Sequence, residues 1–212
     1  GRVAEEIARL GRNAHAVVAD ITVQSDIDSM VEHALSACGR IDILVNNAGT
    51  IRPAPFMEMT EEDWDFIQRV DLKGLAMCTQ KVAAQMITNE YGKIVNISSM
   101  SARGVYMPRF ASYSAAKAGV NNFTQTAARE LGPYNINVNA VAPGEILTDL
   151  TYQDQTPDEV EAKLERSKQM TMLHRLGVPK DVAELVLFLA SDRSSFITGV
   201  VVPIDGGRID RM

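Results

Sequence analysis

The chain has 212 residues, of which 46% are hydrophobic and 23% charged, with a formal charge of -6. This balance suits one globular unit with a sizeable core, and an acidic chain with no Lys/Arg run gives no electrostatic footprint for nucleic acid or an anionic membrane. The longest apolar runs, such as Leu185 to Ala190, fall far short of the roughly 18 to 20 residues that span a bilayer, so a small molecule is the expected partner.

In chain order, Glu5 to Leu10 reads as the end of a helix closed by Gly11, and Ala16 to Ala19 as a strand ending in Asp20. Ile27, Met30, Val31, Ala34 and Leu35 share one face of a helix from Ser25 to Ala37, which Gly39 stops. Ile41 to Val45 predicts the next strand. Thr60 with Asp63 has capping-box spacing for a helix to about Arg69, and helical periodicity resumes from Leu75 to Ile87. Lys93 to Ile97 predicts a third strand, Tyr113 to Leu131 a long helix, and Asn137 to Val141 a fourth strand stopped by Pro143-Gly144. An irregular acidic stretch from Glu145 to Lys168 precedes a helix from Pro179 to Ala190 and a final strand from Gly199 to Ile204. Strands apolar on both faces, alternating with helices, predict an α/β fold: a doubly wound, Rossmann-like parallel sheet formed by residues 1–212 as one unit.

In such sheets ligands bind beyond the carboxyl ends of the strands. Polar residues punctuate those ends here: Asp20, then Asn46-Asn47-Ala48-Gly49, Ser98-Ser99 and Pro143-Gly144. Each alone is a turn signal, but as an ordered set they converge on one cleft. Tyr113 and Lys117, four apart on a predicted helix, lie on one face within side-chain reach. Tyrosine has a pKa of about 10. At an effective dielectric near 20, an ammonium ion roughly 4 to 6 Å away contributes about 3 to 4 kcal/mol, enough to bring the phenol towards neutrality, where acid–base catalysis works best.

His15, His33 and His174 share no ligand spacing, so no metal is assigned. Cys38 and Cys78 lack CxxC spacing and read as reduced and structural. With no signal-peptide pattern at the start, a cytoplasmic location is expected.

Asp20, the Asn46-Asn47-Ala48-Gly49 run, Ser99, Tyr113 with Lys117, Pro143-Gly144-Glu145-Ile146-Leu147-Thr148 and the closing Asp205-Gly206-Gly207 together resemble the short-chain dehydrogenase/reductase family, over essentially the whole chain. The resemblance implies an oxidoreductase that moves a hydride between NAD or NADP and a secondary alcohol or carbonyl. It implies Tyr113 as general acid/base, Ser99 as the group orienting the substrate oxygen, and Lys117 on the nicotinamide ribose and under the Tyr113 phenol. It further implies that Asp20 pairs with the adenine amine, that Ile21 flanks the ring, and that Asn47, Ala48 and Gly49 approach the adenosine ribose. Pro143, Gly144, Ile146 and Thr148 would grip the nicotinamide. A homo-oligomer, the tetramer common in the family, is expected through the helix carrying Tyr113 and the segment from Gly206 to Met212.

Two features depart from the family pattern. Asp71, in Val70-Asp71-Leu72-Lys73-Gly74, occupies the catalytic position usually filled by asparagine. Its charge near Lys117 would push the Tyr113 pKa back up, whereas the alternative is a turn cap facing solvent. The second departure is the missing glycine-rich strand-turn-helix that seats the pyrophosphate, and with it the residue that selects NAD or NADP. In the family's strand order the strands ending at Asp20 and Asn46 flank two strands absent here, a gap too wide for ladder bonds at roughly 4.8 Å per strand. The expectation is that roughly 40 to 50 residues precede Gly1 in the complete protein; the alternative is a rearranged sheet in which those two strands pair directly.

Substrate selection is expected from Met100 to Phe110 and from Glu145 to Leu176, with Arg103, Tyr106, Met107, Phe110, Tyr152, Met170 and Met172 around the mouth. The competing functional class is a non-catalytic assembly or binding module, favoured by the missing phosphate loop and Asp71; a lyase or epimerase on a related scaffold is a third.

Overall fold

The structure is a computed structural model that describes residues 1–103, 108–148 and 156–208. Four runs rich in Ile and Val form its sheet: β1 (Ile43–Asn46), β2 (Gly92–Ile97), β3 (Ile136–Pro143) and β4 (Val201–Ile204). They lie in the order β1-β2-β3-β4 and are all parallel, as the alternation of strand and helix in the sequence requires. Asn46 pairs across from Asn96, Ile97 from Val141 and Pro143 from Ile204, so the carboxyl ends of the four strands finish along one rim.

The helices are α1 (Arg2–Arg9), α2 (Gln24–Cys38), α3 (Glu61–Gln68), α4 (Leu75–Thr88), α5 (Ala111–Leu131), α6 (Pro157–Gln169) and α7 (Pro179–Leu189). Successive side chains of a strand point to opposite faces, and this alternation sorts the core. Ile94, Ile136 and Val138 pack with Val31 of α2, Val82 and Met86 of α4 and Ala128 of α5. On the other face Val95 and Val141 pack with Leu189 of α7. Each such side chain contributes about 1.5 to 3 kcal/mol through burial.

Polar residues inside the first layer are fully engaged. Asn46 Nδ2 donates to Thr79 Oγ1 and to Asn96 Oδ1, each at 2.9 Å, and Asn96 Nδ2 donates to Thr124 Oγ1 at 2.9 Å. The network ties β1 and β2 to α4 and α5 directly beneath the rim. Such groups are tolerated in a core because each donor has an acceptor.

Three local expectations are corrected. Ala16 to Ala19 forms no strand and joins neither β1 nor any other strand of the described sheet; Val18 is fully exposed. A strand is stable only beside a ladder partner, and none of the described strands presents one to these residues. The stretch from Glu145 to Lys168 is not wholly irregular, because it contains most of α6, whose Thr156 and Glu159 form a reciprocal capping box with Pro157 in the first turn. Between α3 and α4 the chain does not leave the helix but widens into a π-turn, Arg69–Gly74. None of the described helices is long and apolar enough to cross a membrane.

Candidate active site

The rim gathers the predicted residues from separate parts of the chain. Ser99 lies just past β2, and its Oγ accepts from Ser101 N at 3.1 Å and from Ser101 Oγ at 3.0 Å. Both acceptor positions are thereby occupied, which leaves the Ser99 O–H to donate. Tyr113 rises from the first turn of α5, with its ring edge-on to Phe110 at 6.2 Å, and its phenol shares a hydrogen bond with the Ser99 side chain. One turn further on, Lys117 is buried; its Nζ donates to Ile97 O at 3.0 Å and lies 5.6 Å from the centre of the Tyr113 ring.

The π-turn supplies the fourth member. The widened turn carries Asp71 inward, where it is fully buried, its Oδ1 accepts from Thr50 N at 2.8 Å, and its Oδ2 stands 3.3 Å from Lys117 Nζ. Oδ2 is within ion-pair reach of the ammonium but off the line of a hydrogen bond, and among the described residues it has no other hydrogen-bond partner. Asp71 therefore faces Lys117 and not solvent. Burial holds its carboxyl above the ordinary carboxylate range, against the opposing pull of Lys117 and the Thr50 amide.

This corrects the expectation for Tyr113, whose pKa lies above its ordinary value and not near neutrality. Burial is the main cause; the Ser99 hydrogen bond acts in the opposite direction, and the Asp71 charge adds to the rise. In a buried site the penalty for a phenolate exceeds the help expected from an ammonium whose field a carboxylate at 3.3 Å offsets.

Beside these groups a cleft of about 380 Å³ is lined by Ser99, Tyr113, Phe110, Gly144, Ile146 and Thr148, among others. Gly144 enters it from the end of β3, with its N–H donating to Ile204 O at 2.9 Å. The following residues are zipped to Gly177, through Gly177 N to Glu145 O at 3.1 Å and Leu147 N to Gly177 O at 2.8 Å. Pro143, the last residue of β3, sets the direction of this segment.

These are the strand-end groups of one family, and similarity to known proteins decides which. Residues 1–208 match the family described as enoyl-(acyl carrier protein) reductase. The 3-oxoacyl-[acyl-carrier-protein] reductase FabG of Thermotoga maritima is 45% identical over 193 residues, covering 91% of this chain and 76% of that protein. The BbsD subunit of (2S)-[(R)-hydroxy(phenyl)methyl]succinyl-CoA dehydrogenase from Thauera aromatica is 43% identical, covering 96% of this chain and 79% of its own. The chain belongs to the short-chain dehydrogenase/reductase family. Among solved structures, a provisionally assigned short-chain alcohol dehydrogenase from Sinorhizobium meliloti superposes with a TM-score of 0.91 at 32% identity, covering all of this chain and 82% of that one. A provisionally assigned gluconate dehydrogenase from Agrobacterium tumefaciens gives 0.89 at 32% identity, with 97% and 79% covered.

Members of this oxidoreductase family work with a nicotinamide cofactor, and the rim of this chain fits one half of it well. Asn47, Ala48 and Gly49 are exposed at the end of β1, and a Cβ on Gly49 would stand 3.4 Å from both Asp71 Oδ2 and Lys117 Nζ. Backbone alone thus covers the Lys117 ammonium on that side, and of its three N–H donors one is committed to Ile97 O, so a ribose hydroxyl can be met there. Ile21 packs against Gly74 so closely that a Cβ there would lie 2.9 Å from Ile21 Cδ1 and from its carbonyl oxygen. Asp20 is exposed on the adjoining turn; its Oδ1 accepts from Thr22 N at 2.8 Å, a bond that, with the Thr22 side chain, lowers its pKa. Among the described residues no glycine-rich turn for a pyrophosphate adjoins this path.

Of the residues expected around the substrate mouth, Phe110 lines the cleft. Arg103 does not: it is exposed and donates through Nη2 to Val201 O at 3.1 Å. Met170 and Met172 are also absent from the lining, Met172 being exposed and set against Gly207. Tyr106, Met107 and Tyr152, like residues 209–212 of the expected oligomer contact, lie outside the described residues. Glu145, Lys163 and Arg208 also line the cleft; Glu145 falls inside the Pro143–Thr148 motif without a role assigned to it, and no motif in the sequence singles out Lys163 or Arg208. The capping box of α6 is the available signal for Lys163, since it fixes the helical phase of that residue.

Proposed function

We infer that this chain catalyses hydride transfer between a nicotinamide cofactor and a ketone or the matching secondary alcohol, with Tyr113 as general acid/base. The observation that carries the reading is the shared cleft: Ser99 and Tyr113 form one side, and Gly144, Ile146 and Thr148 the other. Lys117 would hold the nicotinamide ribose, Asn47, Ala48 and Gly49 would approach the adenosine ribose, the Pro143–Thr148 segment would grip the carboxamide, and Asp20 with Ile21 would meet the adenine. The bound cofactor supplies or accepts the hydride.

The chain's own groups manage the oxygen. In reduction the Tyr113 O–H gives its proton to the carbonyl oxygen as negative charge develops there, and the Ser99 O–H, which meets the phenol when no substrate is bound, donates a second hydrogen bond to the same atom. Oxidation reverses this, with the phenolate taking the alcohol proton. Lys117 places positive charge behind the phenol, and Asp71 tempers it. The names of the FabG and BbsD relatives point to ketones and alcohols next to an acyl group, and 3-oxoacyl compounds, as thioesters and as free acids, are the first substrates to test. The choice between NADH and NADPH is tested in the same screen. Tyr113→Phe keeps the ring and removes the acid; turnover is expected to fall by roughly 10² to 10⁴. Turnover retained in that variant overturns the assignment.

A further inference from the structure

Three charged side chains of the cleft take no part in proton or hydride transfer: Glu145, Lys163 and Arg208. Their partners differ. The Glu145 carboxylate accepts from Ser167 Oγ at 2.6 Å and lies 3.7 Å from Arg208, so it is engaged by α6 on one side and by the segment after β4 on the other. Arg208 is largely buried, and its Nη1 also contacts Met100 Sδ at 3.7 Å. Its charge is balanced by Glu145. Lys163 makes no ion pair among the described residues.

Helical spacing explains how Lys163 comes to line the cleft. Val160 and Ser167 are the buried residues of α6, seven apart on one face, and the exposed Lys163 stands at the edge of that stripe. Lys163 is itself exposed, so it reaches the cleft from its open mouth. The rest of the lining is apolar or neutral, including Ile51, Met100, Phe110 and Ile146. Among the described residues the cleft therefore holds one cation in excess, placed at its mouth, where salt can screen it.

We propose that the substrate carries a carboxylate, which Lys163, backed by Arg208, receives while Ser99 and Tyr113 hold the reacting oxygen; the substrates are oxo acids and the corresponding hydroxy acids. This rests on the function proposed above and adds its substrate class. The test compares kcat/KM for 3-oxobutanoate and 4-oxopentanoate with that for their methyl esters, at low and high salt, in the wild type and in Lys163→Met, which keeps the stem and the helix. The wild type is expected to prefer an acid over its ester, salt to erode the preference, and Lys163→Met to reduce it about tenfold. Equal use of acid and ester by the wild type, or a preference unchanged in Lys163→Met, overturns the proposal. Calorimetric titration of 4-oxopentanoate and its methyl ester measures the same selectivity without turnover: acid-selective binding weakened in Lys163→Met supports the carboxylate site, and its absence refutes it. A protein that binds the acid selectively yet turns over none of the four compounds counts against the ketone chemistry and leaves the carboxylate site standing.

Discussion

Asp71→Asn keeps the shape of the side chain and removes its charge. Lys117 Nζ lies 3.3 Å from Asp71 Oδ2 and 5.6 Å from the centre of the Tyr113 ring. With the phenolate oxygen about 3 Å beyond the ring centre, the two charges are at most about 12 Å apart, and at an effective dielectric near 20 they interact by about 1.4 kcal/mol, and by more if closer. The Asp71 charge raises the Tyr113 pKa, so its removal favours the phenolate. That energy multiplies the phenolate fraction by about tenfold at a fixed pH on the acid limb. Since oxidation needs the phenolate, its acid limb should move to lower pH in the variant, and the alkaline limb of reduction should move the same way. Burial holds the Asp71 carboxyl above its ordinary range, so the two proteins should converge at acid pH, where Asp71 is itself neutral. The assay is kcat/KM for oxidation and reduction across roughly pH 5 to 10 in both proteins. Superimposable profiles, or an acid limb displaced to higher pH in the variant, would refute the electrostatic role of Asp71.

The same residue leaves a mark on stability. Its folded pKa is raised, so the folded state binds more protons and stability falls as pH rises from the ordinary carboxylate value through the folded one; Asp71→Asn should lack that slope, and urea midpoints from acid to neutral pH will show whether the difference between the proteins grows in the variant's favour. Gly144→Ala would place a methyl 2.6 Å from Asp205 Cβ and 2.8 Å from its Cα, a backbone atom that cannot swing aside; a loss of about 1 to 3 kcal/mol in urea unfolding and a raised cofactor KM are expected. Asn96→Ala strips a partner from both Asn46 and Thr124 in the buried network, and should cost about 2 to 4 kcal/mol in the same measurement.

The candidate catalytic set is legible in the sequence because its information is local. Tyr113 and Lys117 share a helix face whatever the rest of the chain does, and Ser99, Gly144 and Gly49 each mark the end of an apolar strand. The parallel sheet then brings these ends to one rim, since parallel strands all finish on the same side. Asp71 is identifiable as a departure from the family's asparagine, but its inward direction depends on the π-turn from Arg69 to Gly74. That turn has no period of its own in the sequence, only an interruption between two helical patterns, and such bulges cluster at functional sites.

The features that differ from expectation depend on partners distant in the chain. Ala16 to Ala19 has strand composition, with Val17 and Val18 adjacent, yet strand formation is decided by a neighbouring edge and not by the segment itself. Lys163 is hidden for the opposite reason: α6 is short of apolar residues, so periodicity is faint, and capping chemistry alone announces the helix. The Tyr113 pKa shows the same limit in energetic form. The spacing to Lys117 is visible in the sequence and gives the sign of one contribution, but burial of the phenol and the carboxylate behind the lysine arise from packing by other elements, and they reverse the result. A motif thus fixes which groups meet, whereas the balance of desolvation against charge fixes how they titrate. In this chain the aspartate of the π-turn supplies the charge in that balance, and an asparagine would leave the ammonium unopposed.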